Sequence, residues 1–259
     1  MIMPQSFMKS IFGFFRRDRR EIASVIHEEN SDSRAAKSSE PDEDLDWLWP
    51  PSDIHDVEAW DKHWQQQIEH GLGPPIFDMF CDGAHLVDAM RQRDMKTILC
   101  AGSGISQEAR ALSEGGFDVI ALDSSAVALE IAQHCLFTVE DIERYYPLNL
   151  RRPGGSMKYV VGNLLDPNVA PGPFDVVIER CTLQLFPPLE RAEALQALAD
   201  RLSPSGIFVS HCHNGGWRPE EPRVHFLENL FREKGWTIED GYGASHVKGK
   251  VARLSLSTG

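Results

Sequence analysis

A chain of 259 residues, 42% apolar and 25% charged, has material for one sizeable core, and its formal net charge of −13 argues against a broad nucleic-acid footprint. Five scattered cysteines with no CxxC pair exclude a disulfide framework and a zinc knuckle, and no apolar run approaches the ~18 residues of a membrane span. The N-terminus lacks the order of a signal peptide, so the expected setting is reduced and cytoplasmic.

In residues 1–26, Lys9, Arg16, Arg17, Arg19 and Arg20 against Asp18 and Glu21 give a local charge of +3, beside Phe7, Met8, Ile11, Phe12, Phe14 and Phe15. This segment reads as a loose basic leader or a helix packed on the domain, in preference to one docking on a membrane surface or partner. From His27 to Asp46 the chain is polar and acidic, with almost nothing to bury, and reads as a disordered linker. Residues 47–259 are the expected folded domain, in which 47–94 form an N-terminal helical lid.

Val57, Trp60, Trp64 and Ile68 recur at helical spacing, and the spacing predicts a second helix over 75–93. Trp60 and Trp64 are expected to staple the first helix to the core rather than line a site. Strands and helices then alternate. "KTILCA", "FDVIALD", "MKYVVGNL", "PFDVVIER" and "GIFVSHCH" read as strands; "SQEARALSEGG", "SAVALEIAQHCLF" and "PLERAEALQALADRL" read as helices, the last stopping at "SPSG". A helix near 221–234 and two runs, "WTIEDGY" and "KVARLSLST", close the chain as an antiparallel pair. This order predicts a parallel α/β sheet covered by helices on both faces.

Ligands of such sheets bind at the carboxyl ends of strands, where strand order reverses. There the turn "AGSGIS" offers Gly102 and Gly104, which admit a ligand without a Cβ, and Asp123 ends the next strand nineteen residues after Gly104. A carboxylate so placed suits a ribose diol. No GK[ST] follows the glycines, which excludes a P-loop, and Gln107 stands where a dinucleotide turn wants glycine or alanine. S-adenosylmethionine, a nucleoside without phosphate, is the third rival.

The successive segments "ILCAGSGIS", "VIALDSS", "YVVGNLLD", "FDVVIERCTLQLFP" and "LSPSGIFVSH", over about residues 95–213, resemble the motifs of a class I S-adenosylmethionine-dependent methyltransferase. The resemblance implies a Rossmann-like, doubly wound, mostly parallel seven-stranded sheet with an antiparallel C-terminal strand. It implies S-adenosylmethionine as cofactor and methyl transfer by direct displacement at the sulfonium methyl. Ala101, Gly102 and Gly104 would lie against the methionine part and ribose, and Asp123 would bind the ribose hydroxyls. Ser124 would flank the adenine, Asn163 and Leu164 would meet its edge and face, and Glu179 would face the methionine part and the methyl. Cys100 stands where the family carries an acid, and Ser106 where its third small residue is glycine.

No catalytic residue can be named from the sequence. Methyl transfer rests mainly on alignment, so the lack of a triad is no argument against an enzyme. His211 and His213, two apart on a strand, read as polar residues at a fraying strand end in preference to a base or a metal pair with Glu179, and no metal site is expected. Arg151 and Arg152, in a segment expected near the mouth, are anion-binding candidates or solvated loop charges. The acceptor is expected to be a small molecule. Alternatives are a methyltransferase-like scaffold without strong activity and a nicotinamide-dependent reductase.

Overall fold

The computed structural model describes residues 50–70, 79–134, 152–213, 230–233, 235, 237–240 and 249–255. The basic leader and the linker over 1–46, the tail of the second helix pattern beyond His134, Arg151, and most of the helix expected near 221–234 lie outside the described residues. In chain order the elements are α1 (Val57–Glu69), α2 (Met79–Gln92), β1 (Thr97–Ala101), α3 (Glu108–Glu114), β2 (Asp118–Asp123), α4 (Ala126–His134), β3 (Ser156–Val161), β4 (Phe174–Arg180), a 3-10 turn (Leu183–Leu185), α5 (Arg191–Ala199), β5 (Leu202–His213), β6 (Thr237–Asp240) and β7 (Gly249–Ser255).

The strands lie in the order β3-β2-β1-β4-β5-β7-β6. β1 to β5 form a parallel five-stranded sheet with helices, as the alternating pattern predicts, and β7 pairs antiparallel with both β5 and β6. The chain winds outward from β1 through β3 and then crosses to β4, so strand order reverses between β1 and β4.

Both faces are covered, and β1 shows why. Ile98 and Cys100 point into a core shared with Val87 and Met90 of α2 and Leu112 of α3. Leu99 and Ala101 point into a second core shared with Leu195 and Leu198 of α5 and with Phe208 and Phe231. Strand side chains alternate between faces, so a fully apolar "ILCA" is what a strand buried on both sides requires. Asp175 ties the foot of β4 to the foot of β1, accepting hydrogen bonds from the Lys96 and Thr97 amides at 2.7 and 2.9 Å.

Two expectations are corrected. β5 begins at Leu202 rather than at Gly206, because Leu202 already pairs with Phe174 and the register shifts before Val176 meets Ile207. The "SPSG" segment is thus an irregularity within the strand, with Gly206 fitted where a Cβ would lie 3.1 Å from the Phe174 carbonyl. The other concerns the basic segment expected near the mouth. The Arg152 amide donates to the Glu114 carbonyl at 2.8 Å, and Gly154 accepts from Lys96 Nζ at 3.0 Å. Glu114 and Lys96 precede β2 and β1, so Arg152 lies at the amino ends of the strands, opposite the site. The cause is topological: α4 carries the chain back across the sheet before β3 begins.

Candidate functional site

The strand ends at the reversal are built around the turn 102–106. Gly102 and Gly104 have φ of +61° and +50°, which L side chains adopt only at a cost. The space beside Gly102 is already filled, since a Cβ there would lie 2.2 Å from Thr182 Oγ1. Thr182 follows β4 and its hydroxyl lies 3.3 Å from the Ala101 carbonyl, so the ends of β1 and β4 are locked together. Ser106 Oγ accepts the Glu108 N–H at 3.2 Å and satisfies one of the free donors at the start of α3.

Asp123 is drawn into the turn. Its Oδ2 accepts the Gly104 N–H at 2.7 Å and its Oδ1 accepts the Ser125 N–H at 2.9 Å. Burial pushes its pKa up, while the Ser125, Gly104 and Ser124 amides oppose the shift and Asp61 adds to it. Ionised carboxylates offer about four acceptor positions, so these amides orient Asp123 without exhausting it. Ser124 is half-buried at the start of the turn into α4, and Ala101 is buried at the end of β1.

The other expected residues are placed less simply. Asn163 is exposed, and its Oδ1 accepts the Leu165 N–H at 2.9 Å, fixing the turn after β3. Leu164 is buried in the α5-side core. Glu179 is fully buried, its Oε2 accepting the Thr182 and Leu183 amides at 3.0 and 3.1 Å and its Oε1 the Ser210 hydroxyl. Burial pushes its pKa up and these bonds pull against it. The carboxylate therefore shapes the turn that presents Thr182 to Gly102. His211 and His213 lie at the carboxyl end of β5, His211 opposite Arg180, and their side chains lie outside the described residues.

Sequence reasoning missed three features. The first is an ion pair between Glu108 and Arg180: both side chains are buried, Arg180 donating through Nε and through Nη2, the latter at 2.8 Å. It sits beside Cys100, whose thiol burial pushes far above its ordinary range, with Glu108 adding to the shift and Arg180 opposing it. An acid in the buried "EA…L" face of a short helix was the available signal.

The second is the reach of α1. Trp64 Cζ2 lies 3.0 Å from where a Cβ on Gly104 would be, and Asp61 Oδ1 accepts from Ser125 Oγ at 2.5 Å. Trp64 thus touches the glycine turn itself, beyond the stapling role expected of it. The third is His63, buried on the same helix among Trp60 and Trp64 and pushed by burial down to about 4. Its spacing from Trp60 and Trp64 was visible; its burial was not.

The arrangement fits a nucleoside cofactor. Ser103 Oγ, within the glycine turn, is buried with no protein partner, an orphan that a polar ligand at the turn would satisfy. The oriented Asp123 and the positive-φ Gly102 and Gly104 lie at the same strand ends.

Residues 99–210 match the model of a family described as a methyltransferase domain. A TehB-like SAM-dependent methyltransferase from Corynebacterium glutamicum is 21% identical, with a TM-score of 0.50 over 76% of this chain and 96% of that one. The PH0226 protein from Pyrococcus horikoshii is 16% identical, with a TM-score of 0.50 over 80% and 96% of the two chains. No curated protein matches the sequence significantly. No helix among the described residues is long and apolar enough to cross a membrane. With the reversal between β1 and β4, the glycine turn and the strand-end acid already in place, residues 99–210 match a methyltransferase domain and are built on the Rossmann-like α/β fold of the solved structures they resemble.

Proposed function

We propose that the chain methylates a small-molecule acceptor. Bound S-adenosylmethionine supplies a methyl on a cationic sulfur; the acceptor's nucleophile takes that methyl, the sulfur keeps the electron pair of the broken bond, and the acceptor's proton leaves to solvent. The protein's contribution is orientation. In this reading Ala101, Gly102 and Gly104 lie along the methionine part and ribose, and Asp123 accepts from the ribose hydroxyls. Ser124, Asn163 and Leu164 border the adenine, and Glu179 holds the Thr182 turn beside the methionine part.

The observation that carries the small-molecule reading is α1. Trp64 rests on Gly104 and Asp61 is bonded to Ser125, so the chain's own helix covers the turn, and a macromolecular substrate would have to displace it. The net charge of −13 agrees, because phosphate backbones are held by neutralising cations. We place the protein in a reducing, cytoplasmic setting, in keeping with the buried side chains of Cys100 and Cys181.

Titration calorimetry with S-adenosylmethionine and S-adenosylhomocysteine tests the reading. Both are expected to bind, and Asp123→Ala is expected to weaken each at least about tenfold, the loss of charge-assisted hydrogen bonds worth ~1.5–3 kcal/mol. Folded protein giving no heat with either ligand would overturn it and favour the methyltransferase-like scaffold instead; heat with NADH would favour the reductase.

A further inference from the structure

α1 crosses the site from one side of the reversal to the other. Just before it, His55 Nε2 meets Glu190 Oε2 at 2.6 Å, its ring packs edge-on to Phe186, and Ile54 packs against the α5-side core. Farther along, Asp61 holds Ser125, Trp64 rests on Gly104, and Ile68 packs with Ile105, Ala128 and Ile131. Thirteen residues of helix span ~20 Å, enough to bridge the strand ends. Trp60 and His63 share the buried face of that helix, on either side of Asp61.

Trp60 carries a polar atom that the protein does not satisfy. Trp60 is 8% exposed and its Nε1–H is buried with no partner. His63, also 8% exposed, makes ring contacts with Trp60 and Trp64 at 5.6 and 5.1 Å and no hydrogen bond among the described residues. The Trp60 and Trp64 rings lie 5.8 Å apart at 31°. An orphaned indole N–H in so buried a place costs free energy unless something accepts from it.

We propose that this face of α1 recognises the methyl acceptor, and that the acceptor is an uncharged planar ring bearing a hydroxyl. Trp60 Nε1–H donates to the hydroxyl oxygen, a His63 ring nitrogen accepts the hydroxyl proton's hydrogen bond, and the indole faces stack against the ring. Aromatic rings on this face favour a planar ring over a non-planar alcohol, and its buried residues, Trp60, His63 and Ile68, include no lysine or arginine to pair with a carboxylate. Burial keeps His63 neutral, so the face does not repel the cationic sulfonium beneath it. This inference rests on the methyl-transfer reading above.

The test is calorimetry on the full chain saturated with S-adenosylhomocysteine, using phenol, catechol and 2-naphthol as probes and benzoate and cyclohexanol as controls. At least one phenol is expected to bind, with the controls about tenfold weaker or more. Trp60→Phe keeps the ring and removes the N–H, and His63→Leu removes the acceptor; each is expected to weaken the phenol about fivefold, one hydrogen bond's worth, and leave S-adenosylhomocysteine affinity unchanged. In wild-type protein the indole N–H resonance of Trp60, assigned by its loss in Trp60→Phe, is expected to shift with the phenol. If S-adenosylhomocysteine itself fails to bind, the underlying reading falls. If it binds while no phenol does, or the controls bind equally, or the Trp60 resonance stays still, the acceptor assignment alone is overturned.

Discussion

At Gly102, two independent constraints coincide in one residue. Its φ of +61° disfavours any side chain, and a Cβ would stand 2.2 Å from Thr182 Oγ1, inside contact distance. Thr182 cannot retreat freely, because its amide is held by Glu179 and its hydroxyl lies against the Ala101 carbonyl. Gly102→Ala is therefore expected to destabilise the protein by ~2 kcal/mol or more, read as a lowered urea midpoint with unchanged slope. His63 gives a second prediction, in pH. Its folded pKa of about 4 lies below the unfolded value of 6.5, so between these the unfolded chain binds more protons and stability falls as pH drops. The buried acids Asp123 and Glu179, raised by burial, act with the opposite sign and favour the folded state as pH falls. Comparing His63→Leu with wild type isolates the histidine: melting temperatures measured from pH 7 to 4 are expected to fall less in the variant. Parallel curves over that window would show that His63 is not buried as described.

Among the elements, α1 is tied to α4 by Asp61. Asp61 accepts from Ser125 Oγ and, at 3.4 Å, from the Val127 amide, while Ser125 Oγ also accepts the Ala128 N–H and so caps α4. Asp61→Ala removes the carboxylate from the N-terminal end of α4, where negative charge is favoured, and leaves Trp64 and Ile68 as apolar contacts. The expected result is faster amide exchange across α1, by about fivefold to tenfold for a loss of ~1–1.5 kcal/mol, with exchange in β1 and β4 unchanged. Equal acceleration everywhere would mean that Asp61 supports the whole domain rather than the helix. Strands at this scale were legible because runs such as "TILCA" and "FDVVIER" are short, apolar and bounded by polar segments, which a sheet covered on both faces demands. The amphipathic stripe of α1 was equally plain, but periodicity names the buried face of a helix, not the surface it lies on. The turn after β4 was hidden for another reason: Cys181 takes φ of +55°, which residue type does not announce, and that bend brings the Thr182 and Leu183 amides onto Glu179. Nothing local marked Glu108 and Arg180 as partners either, since seventy-two residues separate them.

Across the whole molecule, the parts of the site come from segments far apart in sequence: α1, the β1 turn, the end of β2 and the turn after β4. The position of the glycine turn and Asp123 at neighbouring strand ends was readable because both follow short apolar runs, and strand ends at a reversal are where such sheets bind, which is why the proposed site is put there. Cofactor binding should therefore stabilise the molecule as a unit rather than one segment of it. A ligand that binds only the folded state adds RT ln(1 + [L]/Kd), ~2.7 kcal/mol at a hundredfold excess over Kd. For a domain of this size each kcal/mol raises the melting temperature by roughly 2–4 °C, so saturating S-adenosylhomocysteine is expected to raise it by about 5–10 °C. Asp123→Ala, tested at the same ligand concentration, should lose about half of that shift or more, because a tenfold weaker Kd removes ~1.4 kcal/mol. Asp61→Ala should keep most of it if α1 mainly faces the acceptor, and lose it in step with Asp123→Ala if α1 also encloses the cofactor. The ratio of the two losses thus assigns α1 to one ligand or to both, a division that neither variant can make alone.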